Sequence, residues 1–304
     1  MAGSIRESAT SEAPFVPVEE PQPFSGRVHL LRRLLRTPGG LAGLALMLAV
    51  LGGAVFADQI APSDPFTSSG VPLQPPSLAH PMGTDDLGRD MLSGVVHGAR
   101  TSLIVVLLAV TLASVIGVTV GGVSGYRGGV LDDILMRITE GFQAVPRFFL
   151  AIVVIALFGA GLGKLVLLLG LTSWPMLARV VRAEMLSIKE QEFVEAARSF
   201  GASDTKILVR ELLPNTLPSA IVVVSLMGAS VILLEASLGF LGLGDPDVIS
   251  WGYLINNAQR FIRTAWWMSV FPGVAIVVAV LGLSLLGDAI NDLLNPRGTR
   301  SSVR

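Results

Sequence analysis

Four long stretches of the chain contain no charged residue, and they cover residues 37–57, 101–126, 212–234 and 264–287. A helix needs about 20 consecutive apolar residues to cross the roughly 30 Å hydrocarbon core of a bilayer. Each stretch is long enough to do so. The pattern therefore predicts a membrane-spanning helix in each of them.

A further apolar region, 148–178, is charged only at Lys164 and is interrupted by Gly159-Ala-Gly-Leu-Gly163. As one helix it would be about 47 Å long, which exceeds the thickness of the hydrocarbon core. We therefore expect two helices, each of which must include charged residues near one end: Glu140, Arg147 or Arg179. Such side chains either face the interior of a bundle or extend to the membrane surface, and we expect the second arrangement.

The positive charges orient these helices. With six spans both chain ends lie on one side of the membrane, which then carries 17 Lys and Arg residues against five on the other side. Cytoplasmic loops carry the excess of such residues. We expect a multi-pass protein of the cytoplasmic membrane with both termini in the cytoplasm.

The organisation of the chain follows from these spans. Residues 1–26 are rich in proline and polar residues, which predicts a disordered cytoplasmic tail. Leucine and arginine alternate over 27–36, as in a basic helix on an anionic lipid surface, although the arginines could also be simple flanking charges. We expect the remaining units to be a first membrane helix at 37–57, an external loop at 58–100, a five-helix core at 101–297 and a tail at 298–304.

Composition narrows the function. The chain is 51% hydrophobic and only 15% charged, which fits a membrane protein and excludes a nucleic-acid-binding one. It has no cysteine, and its three histidines are scattered, so no metal site is expected. The segment Gly161-Leu-Gly-Lys164 resembles the end of a phosphate-binding loop, but Phe158 stands where the first glycine is required. We expect neither a nucleotide site nor catalysis by this chain.

Glu235 follows the uncharged run 212–234 directly and is itself followed by the apolar segment 236–244. A carboxylate inside the membrane is a candidate for lining a transport pathway. Alternatively, it marks the end of a helix at the outer surface.

The polar segment 186–215 contains the most informative pattern. Phe193, Ala197 and Phe200 are spaced to share one face of a helix. Gly201 suits the left-handed position just after a helix end, and Ser203 or Asp204 could cap a second helix that Pro214 would stop. We expect two short cytoplasmic helices at a sharp bend, whose small residues would allow close docking on another protein.

The same segment resembles a known family. Glu195-Ala-Ala, Gly201 and Leu213-Pro-Asn215 are similar to the E-A-A, G and L-P-N signature of the permease subunits of ABC importers, whose bent helix pair docks on a cytoplasmic ATPase. Met82-Gly-Thr-Asp-Asp-Leu-Gly-Arg-Asp90 resembles a segment of the C-type subunit of dipeptide, oligopeptide and nickel importers. The resemblance covers about 30–297 and departs at Glu211, where the family often has histidine.

The resemblance implies an all-α type I permease fold with six membrane helices and a coupling-helix pair. It implies that the ATPase-docking residues are Phe193, Glu195, Ala196, Ala197, Phe200, Gly201, Pro214 and Asn215. Candidates for contact with an external substrate-binding protein are Asp85, Asp86, Arg89, Asp90 and Trp251, since we expect the external loop to pack against 240–270.

The resemblance also implies the partners and the cargo. These are a B-type permease subunit, an external binding protein and two ATPase subunits that hold the ATP and magnesium. The cargo would be a dipeptide or oligopeptide, or alternatively nickel or another small solute. Two other classes stay open, an ion-coupled secondary transporter that uses Glu235 and a structural scaffold.

Overall fold

The computed structural model describes residues 37–294. The predictions for 1–26, 27–36 and 298–304 lie outside these residues. In chain order the helices are α1 (Pro38–Val55), α2 (Ala57–Ile60), α3 (Met91–Arg127), α4 (Gly129–Ala144), α5 (Arg147–Phe158), α6 (Leu162–Ile188), α7 (Glu192–Ser199), α8 (Asp204–Lys206), α9 (Leu213–Phe240), α10 (Trp251–Ala258) and α11 (Trp267–Leu294).

Within 37–294, five helical segments are long and apolar enough to cross a membrane: α1, α3, α6, α11 and the continuous stretch Asp204–Phe240. Helices α4 and α5 meet the same length and hydropathy test only as a pair, which is bent by 77° at their junction, and this pair counted as one span gives six. The all-α, six-span architecture expected from the sequence is therefore confirmed. The glycine-rich interruption separates α5 from α6, as predicted, with Gly159 at φ 77°.

The loop before the second span is shorter than expected. Helix α3 begins at Met91 instead of residue 101, and α2 occupies Ala57–Ile60, so the loop covers 61–90 and not 58–100. The reason is a cap: Asp90 Oδ1 accepts a hydrogen bond from the Ser93 backbone N–H at 2.8 Å, which starts the helix nearly three turns before the uncharged run that begins at residue 101.

The third span is not the single straight helix that the sequence predicts. It breaks between Ala144 and Arg147, where Pro146 has no backbone N–H to donate and the preceding Val145 is extended at ψ 122°. The amphipathic α4 and the 12-residue α5 therefore share one crossing. Arg147 consequently lies at an internal helix end and not at the end of a span.

Helix α6 forms the centre of the bundle. In the 18-residue stretch that qualifies it as a membrane span, 67% is buried, whereas the corresponding share in the other four long segments is 39% or less. Its closest partner is α3, whose glycines recur every fourth residue at Gly117, Gly121 and Gly125. A Cβ added at Gly125 would lie 2.6 Å from Cβ of Met185, and one at Gly121 would overlap the carbonyl oxygen of Ala178. Small residues thus allow α3 and α6 to approach closely, as is common between membrane helices.

An ion pair joins α3, α4 and α6 near the end of the bundle where α7 lies. Arg182 donates from Nε to Oδ1 and from Nη2 to Oδ2 of Asp132, both at 2.6 Å. The Ser124 hydroxyl also donates to Asp132. This two-pronged geometry fixes the orientation of both side chains and holds α4 against the two central helices.

Candidate functional site

The candidate docking loop, residues 186–215, comprises the end of α6, the short helices α7 and α8, and the start of α9. In α7 the side chain that anchors the helix is Val194, which is fully buried and belongs to the same core as Ile207 and Leu212. Phe193 and Phe200 are 38% and 90% exposed. Sequence reasoning identified the two phenylalanines as one face but did not identify Val194 as the anchor.

Small residues separate the exposed and buried faces of α7. Ala197 is partly buried and packs on the core, so it lies closer to the bundle than the two phenylalanines with which it was grouped. Glu195 and Ala196 are exposed. The surface presented to solvent therefore consists of aromatic and small side chains together with charged ones of both signs, because Arg198 is exposed as well.

Gly201 ends α7 in the left-handed conformation that the sequence predicts, at φ 74°. Its N–H donates to the carbonyl of Arg198 at 2.9 Å, and the N–H of Ala202 donates to that of Ala197 at 3.1 Å. These two bonds form a Schellman motif, which satisfies carbonyls that a helix end leaves free. A Cβ at Gly201 would meet no atom within 4 Å, so the glycine is required here by its backbone conformation and not by crowding.

The second helix of the loop differs from its prediction in two ways. Ser203 occupies the N-cap position, but its side chain makes no capping hydrogen bond. Asp204 instead accepts a hydrogen bond from the Tyr126 hydroxyl at 2.7 Å, which connects the loop to the end of α3. Sequence reasoning missed Tyr126 because it lies 78 residues away.

Pro214 does not stop the second helix, which corrects the sequence prediction. A π-helical stretch, Ile207–Leu212, joins α8 to α9, and Pro214 lies in the first turn of α9. A wider turn can accommodate the missing N–H and the bulk of the proline ring. Pro214 and Asn215 are both exposed, and the Asn215 amide donates to the carbonyl of Glu211 at 2.5 Å.

Glu235 lies within α9 and is 2% exposed, so it is an interior residue of the bundle and not a surface residue at a helix end. The Ser102 hydroxyl of α3 donates to Glu235 Oε2 at 3.1 Å and accepts from the Trp251 backbone N–H at 3.3 Å. In this conformation the carboxylate is therefore buried where α3, α9 and α10 meet. Its role in a transport pathway stays a prediction.

The external-contact candidates divide into buried and accessible residues. Trp251 is 1% exposed, and its indole N–H donates to the carbonyl of Val95 at 3.0 Å. Asp90 is also 1% exposed and accepts from Ser93 and His80. Asp85 accepts from the backbone N–H groups of Leu87 and Arg89. Local capping and packing therefore account for these three candidates in this conformation.

Asp86 and Arg89 are the two candidates that keep partial exposure. Arg89 lies 5.8 Å from the ring centre of Phe66 and donates to the Tyr253 hydroxyl at 3.5 Å. The Trp267 indole donates to the carbonyl of Thr84 at 3.0 Å. The predicted packing of this loop against 240–270 is thus confirmed. Among residues 37–294, no group of three or more acidic or histidine side chains is placed to hold a metal ion.

Comparison with known proteins agrees with this architecture. The family model described as "Binding-protein-dependent transport system inner membrane component" matches residues 117–300. The chain is 38% identical over 269 residues to the dipeptide transport system permease protein of Bacillus subtilis, which covers 88% of this chain and 84% of the relative. It is 37% identical to the glutathione transport system permease protein of Pectobacterium atrosepticum, over 88% of this chain and 89% of the relative.

A further relative is the di/tripeptide transport system permease protein of Pseudomonas aeruginosa, at 35% identity over 85% of this chain and 88% of the relative. A solved chain of the MetNI methionine ABC transporter in an inward-facing conformation aligns with a TM-score of 0.57 at 22% identity, over 67% of this chain and 97% of that one. The structural match shows the fold alone, whereas the family model and the relatives together show that this chain belongs to the inner membrane components of binding-protein-dependent transport systems.

Proposed function

We propose that this chain is one permease subunit of an ATP-driven importer of short peptides. A second, B-type permease subunit completes the pathway, an external binding protein delivers the peptide, and two ATPase subunits bind on the cytoplasmic side. The observation that carries this proposal is the exposed face of α7, a helix that is anchored to the bundle by the buried Val194 and ended by the Schellman turn at Gly201.

The exposed face of α7 has the properties of a protein-binding surface. Phe200 is a large aromatic side chain with 90% of its area exposed, which is unfavourable in water and favours coverage by a partner. The neighbouring Ala196 is small, so the helix backbone can approach a groove closely. We assign Glu195 to polar contacts at the edge of that groove.

A docked ATPase would act on the membrane helices through defined contacts. Movement of α7 displaces Val194, which packs in the core together with Ile207, and the hydrogen bond between Asp204 and Tyr126 links the loop to α3. Such a state change requires a ligand that binds the two conformations with different free energy. ATP and magnesium on the partner ATPases supply that difference, because this chain has no nucleotide motif.

The charge distribution supports a cytoplasmic position for α7 and both termini. The opposite end then carries the loop 61–90, which exposes the apolar side chains of Val71 and Leu78 at 69% and 105%. We assign these, together with Asp86 and Arg89, to contact with the binding protein. The buried Asp85, Asp90 and Trp251 would shape the loop without touching the partner.

The cargo follows from the relatives. The proteins of Bacillus subtilis and Pseudomonas aeruginosa are named for dipeptides and for di- and tripeptides, and glutathione, named for a third relative, is itself a tripeptide. Short peptides are therefore the substrate class that we assign to this chain.

Replacement of Phe200 by serine tests the docking surface without straining the backbone. We expect the ATPase subunits to be retained poorly on the purified complex and peptide uptake by cells to fall in proportion. The matched control is Phe158→Ser, since Phe158 is also exposed, at 68%, but lies at the other end of the bundle. Unchanged ATPase retention in Phe200→Ser, or uptake that continues in ATP-depleted cells with an ion gradient, would contradict the proposal.

A further inference from the structure

Arg147 is a charged residue within the bent apolar segment formed by α4 and α5. It is the first residue of α5 and follows the 77° bend between α4 and α5. Among residues 37–294 it makes no ion pair and no hydrogen bond, although its side chain is partly buried. Charged residues at such positions normally pair with another group or face a polar cavity.

The depth of Arg147 follows from its neighbours. It shares a pocket with Ser173 of α6 and Met227 of α9. Ser173 lies about 16 Å along α6 from its start at Leu162, given 1.5 Å per residue, which is about half of a 30 Å hydrocarbon core. Met227 is in the middle of α9, Leu213–Phe240. Both helices therefore place the pocket near the midplane, where the lipid headgroups do not reach.

The pocket has a volume of about 110 Å³ and is lined by residues of α5, α6 and α9, including Arg147, Ser173, Met176, Met227 and Ser230. A second observation in it points to a ligand. Ser173 is 1% exposed, and its hydroxyl has no hydrogen-bond partner in the described part of the chain, 37–294. Buried hydroxyl groups are nearly always paired, so this one is available to a bound group.

The polar groups around the pocket favour an anion. The guanidinium group of Arg147 presents several N–H donors in a plane that matches a carboxylate. The N-terminus of α5, at Pro146, has no side-chain cap, so its first N–H groups are unpaired and carry partial positive charge. Broken helices with such ends are found at substrate sites near the midplane of other transporters.

We propose that Arg147 and Ser173 form a site for the C-terminal carboxylate of a peptide in transit. This inference rests on the proposed peptide-import function. The C-terminal carboxylate is the anion that every unmodified peptide carries whatever its sequence. Recognition of this carboxylate therefore binds the C-terminal end of the peptide whatever its side chains are. Met176 and Met227 offer adaptable apolar contacts to peptides with different side chains.

The test uses the absence of cysteine from the chain. Met176→Cys introduces one thiol at the pocket, where Met176 is 50% exposed. The assembled transporter, in lipid nanodiscs, is treated with a small alkylating reagent in the presence of trialanine or trialanine amide. We expect trialanine to slow alkylation several-fold and the amide, which lacks the charged carboxylate, to have little effect.

Variants assign the effect to the pocket. Adding Arg147→Gln should raise the concentration of trialanine needed for protection about tenfold or more, as for the loss of a charged hydrogen bond. Arg147→Lys should retain part of the protection, and Ser173→Ala should weaken it. The matched control is Arg137→Gln in α4, because the Arg137 side chain is 85% exposed and lies outside the pocket.

Equal protection by the acid and the amide would overturn the proposal, and so would full protection in Arg147→Gln. No protection by trialanine in Met176→Cys alone would also overturn it. If Arg147→Gln does not assemble, the comparison of acid and amide on Met176→Cys alone decides. Peptide uptake by cells distinguishes failure of the carboxylate site from failure of the proposed function. Normal uptake without selective protection rejects only the site, whereas absence of uptake rejects the peptide-import function.

Discussion

Asp85 is a residue whose structural role has a measurable pH dependence. It lies in the loop between α2 and α3 with 6% of its surface exposed. Burial raises the pKa of its carboxyl above the usual value of 3.8, although hydrogen bonds from the backbone of Arg89 and Leu87 act in the opposite direction. The two hydrogen bonds need only an acceptor oxygen, which an asparagine also provides.

Asp85→Asn should therefore stabilise the protein at neutral pH. A carboxyl whose pKa is raised on folding contributes stability that is fully present below about pH 3.8 and is lost as the pH rises through the folded-state pKa. Asp85→Asn has no such loss. The difference in stability between this variant and the parent protein should therefore grow as the pH rises and vanish at low pH. Thermal unfolding of the purified complex across this pH range measures the effect.

Asp85→Ala provides the comparison for that experiment. It removes the acceptor as well as the charge, which leaves two backbone N–H groups unpaired at a cost of about 1 kcal/mol each. It should be less stable than Asp85→Asn at every pH. A difference between the parent and Asp85→Asn that does not change with pH would contradict the assignment.

At the level of whole helices, the packing of α3 against α6 depends on the glycine residues of α3. A Cβ at Gly121 would overlap the carbonyl oxygen of Ala178, so Gly121→Val must separate the two helices. Overpacking of this kind costs about 1–3 kcal/mol or more. We expect a lower unfolding temperature and a reduced yield of assembled complex.

The control for the helix contact is Gly163→Val in α6, where an added Cβ would meet no atom within 4 Å. It introduces the same β-branched residue into a helix of the same contact pair. Similar loss of stability in the two variants would show that helix propensity, and not the contact between α3 and α6, determines the result.

The turns, helices and bends differ in how well they could be predicted from the sequence. The turn at Gly201 depends on residues within one helix turn of each other, so it could be predicted from local chemistry. The glycines of α3 show the four-residue spacing of a close helix contact in the sequence itself, but nothing local identifies α6 as the partner. The bend at Pro146 also has a signal in the sequence, the proline itself, but the prediction for the third span depended on the apolar content of 148–178, which begins after that residue.

The candidate sites also divide into those that a local motif predicts and those that depend on contacts between distant segments. Phe200 and Gly201 could be identified from a local motif. Ser173 and Arg147 could not be joined in advance, because their pocket brings together α5, α6 and α9, and only tertiary packing decides that the Ser173 hydroxyl is left without a partner. The burial of Trp251 and Asp90 likewise depends on contacts between distant segments.

The orientation of the whole molecule is a prediction from its charges and can be measured directly. Ser69 and Ser203 are exposed at opposite ends of the bundle, and the chain has no cysteine. A cysteine at position 69 should react with a membrane-impermeant thiol reagent added to intact cells, whereas one at position 203 should react only after the membrane is opened. Ser250 is less suitable for this purpose, since it is 6% exposed.

External labelling at position 203 would place α7 outside the cell and would exclude docking on cytoplasmic ATPases. Labelling at both positions in intact cells would contradict the six-span count, since three of its spans lie between positions 69 and 203. Either result would remove the proposed means of energy supply.

The π-helical stretch before Pro214 has a mechanical consequence for the molecule. Because the helix is not interrupted there, Asp204–Phe240 forms one rod of 37 residues, about 55 Å long at 1.5 Å per residue. A tilt of about 5° around its midpoint displaces each end by about 2.4 Å, in opposite directions, for a rod of that length. The docking loop and the surroundings of Glu235 therefore cannot move independently unless this helix bends.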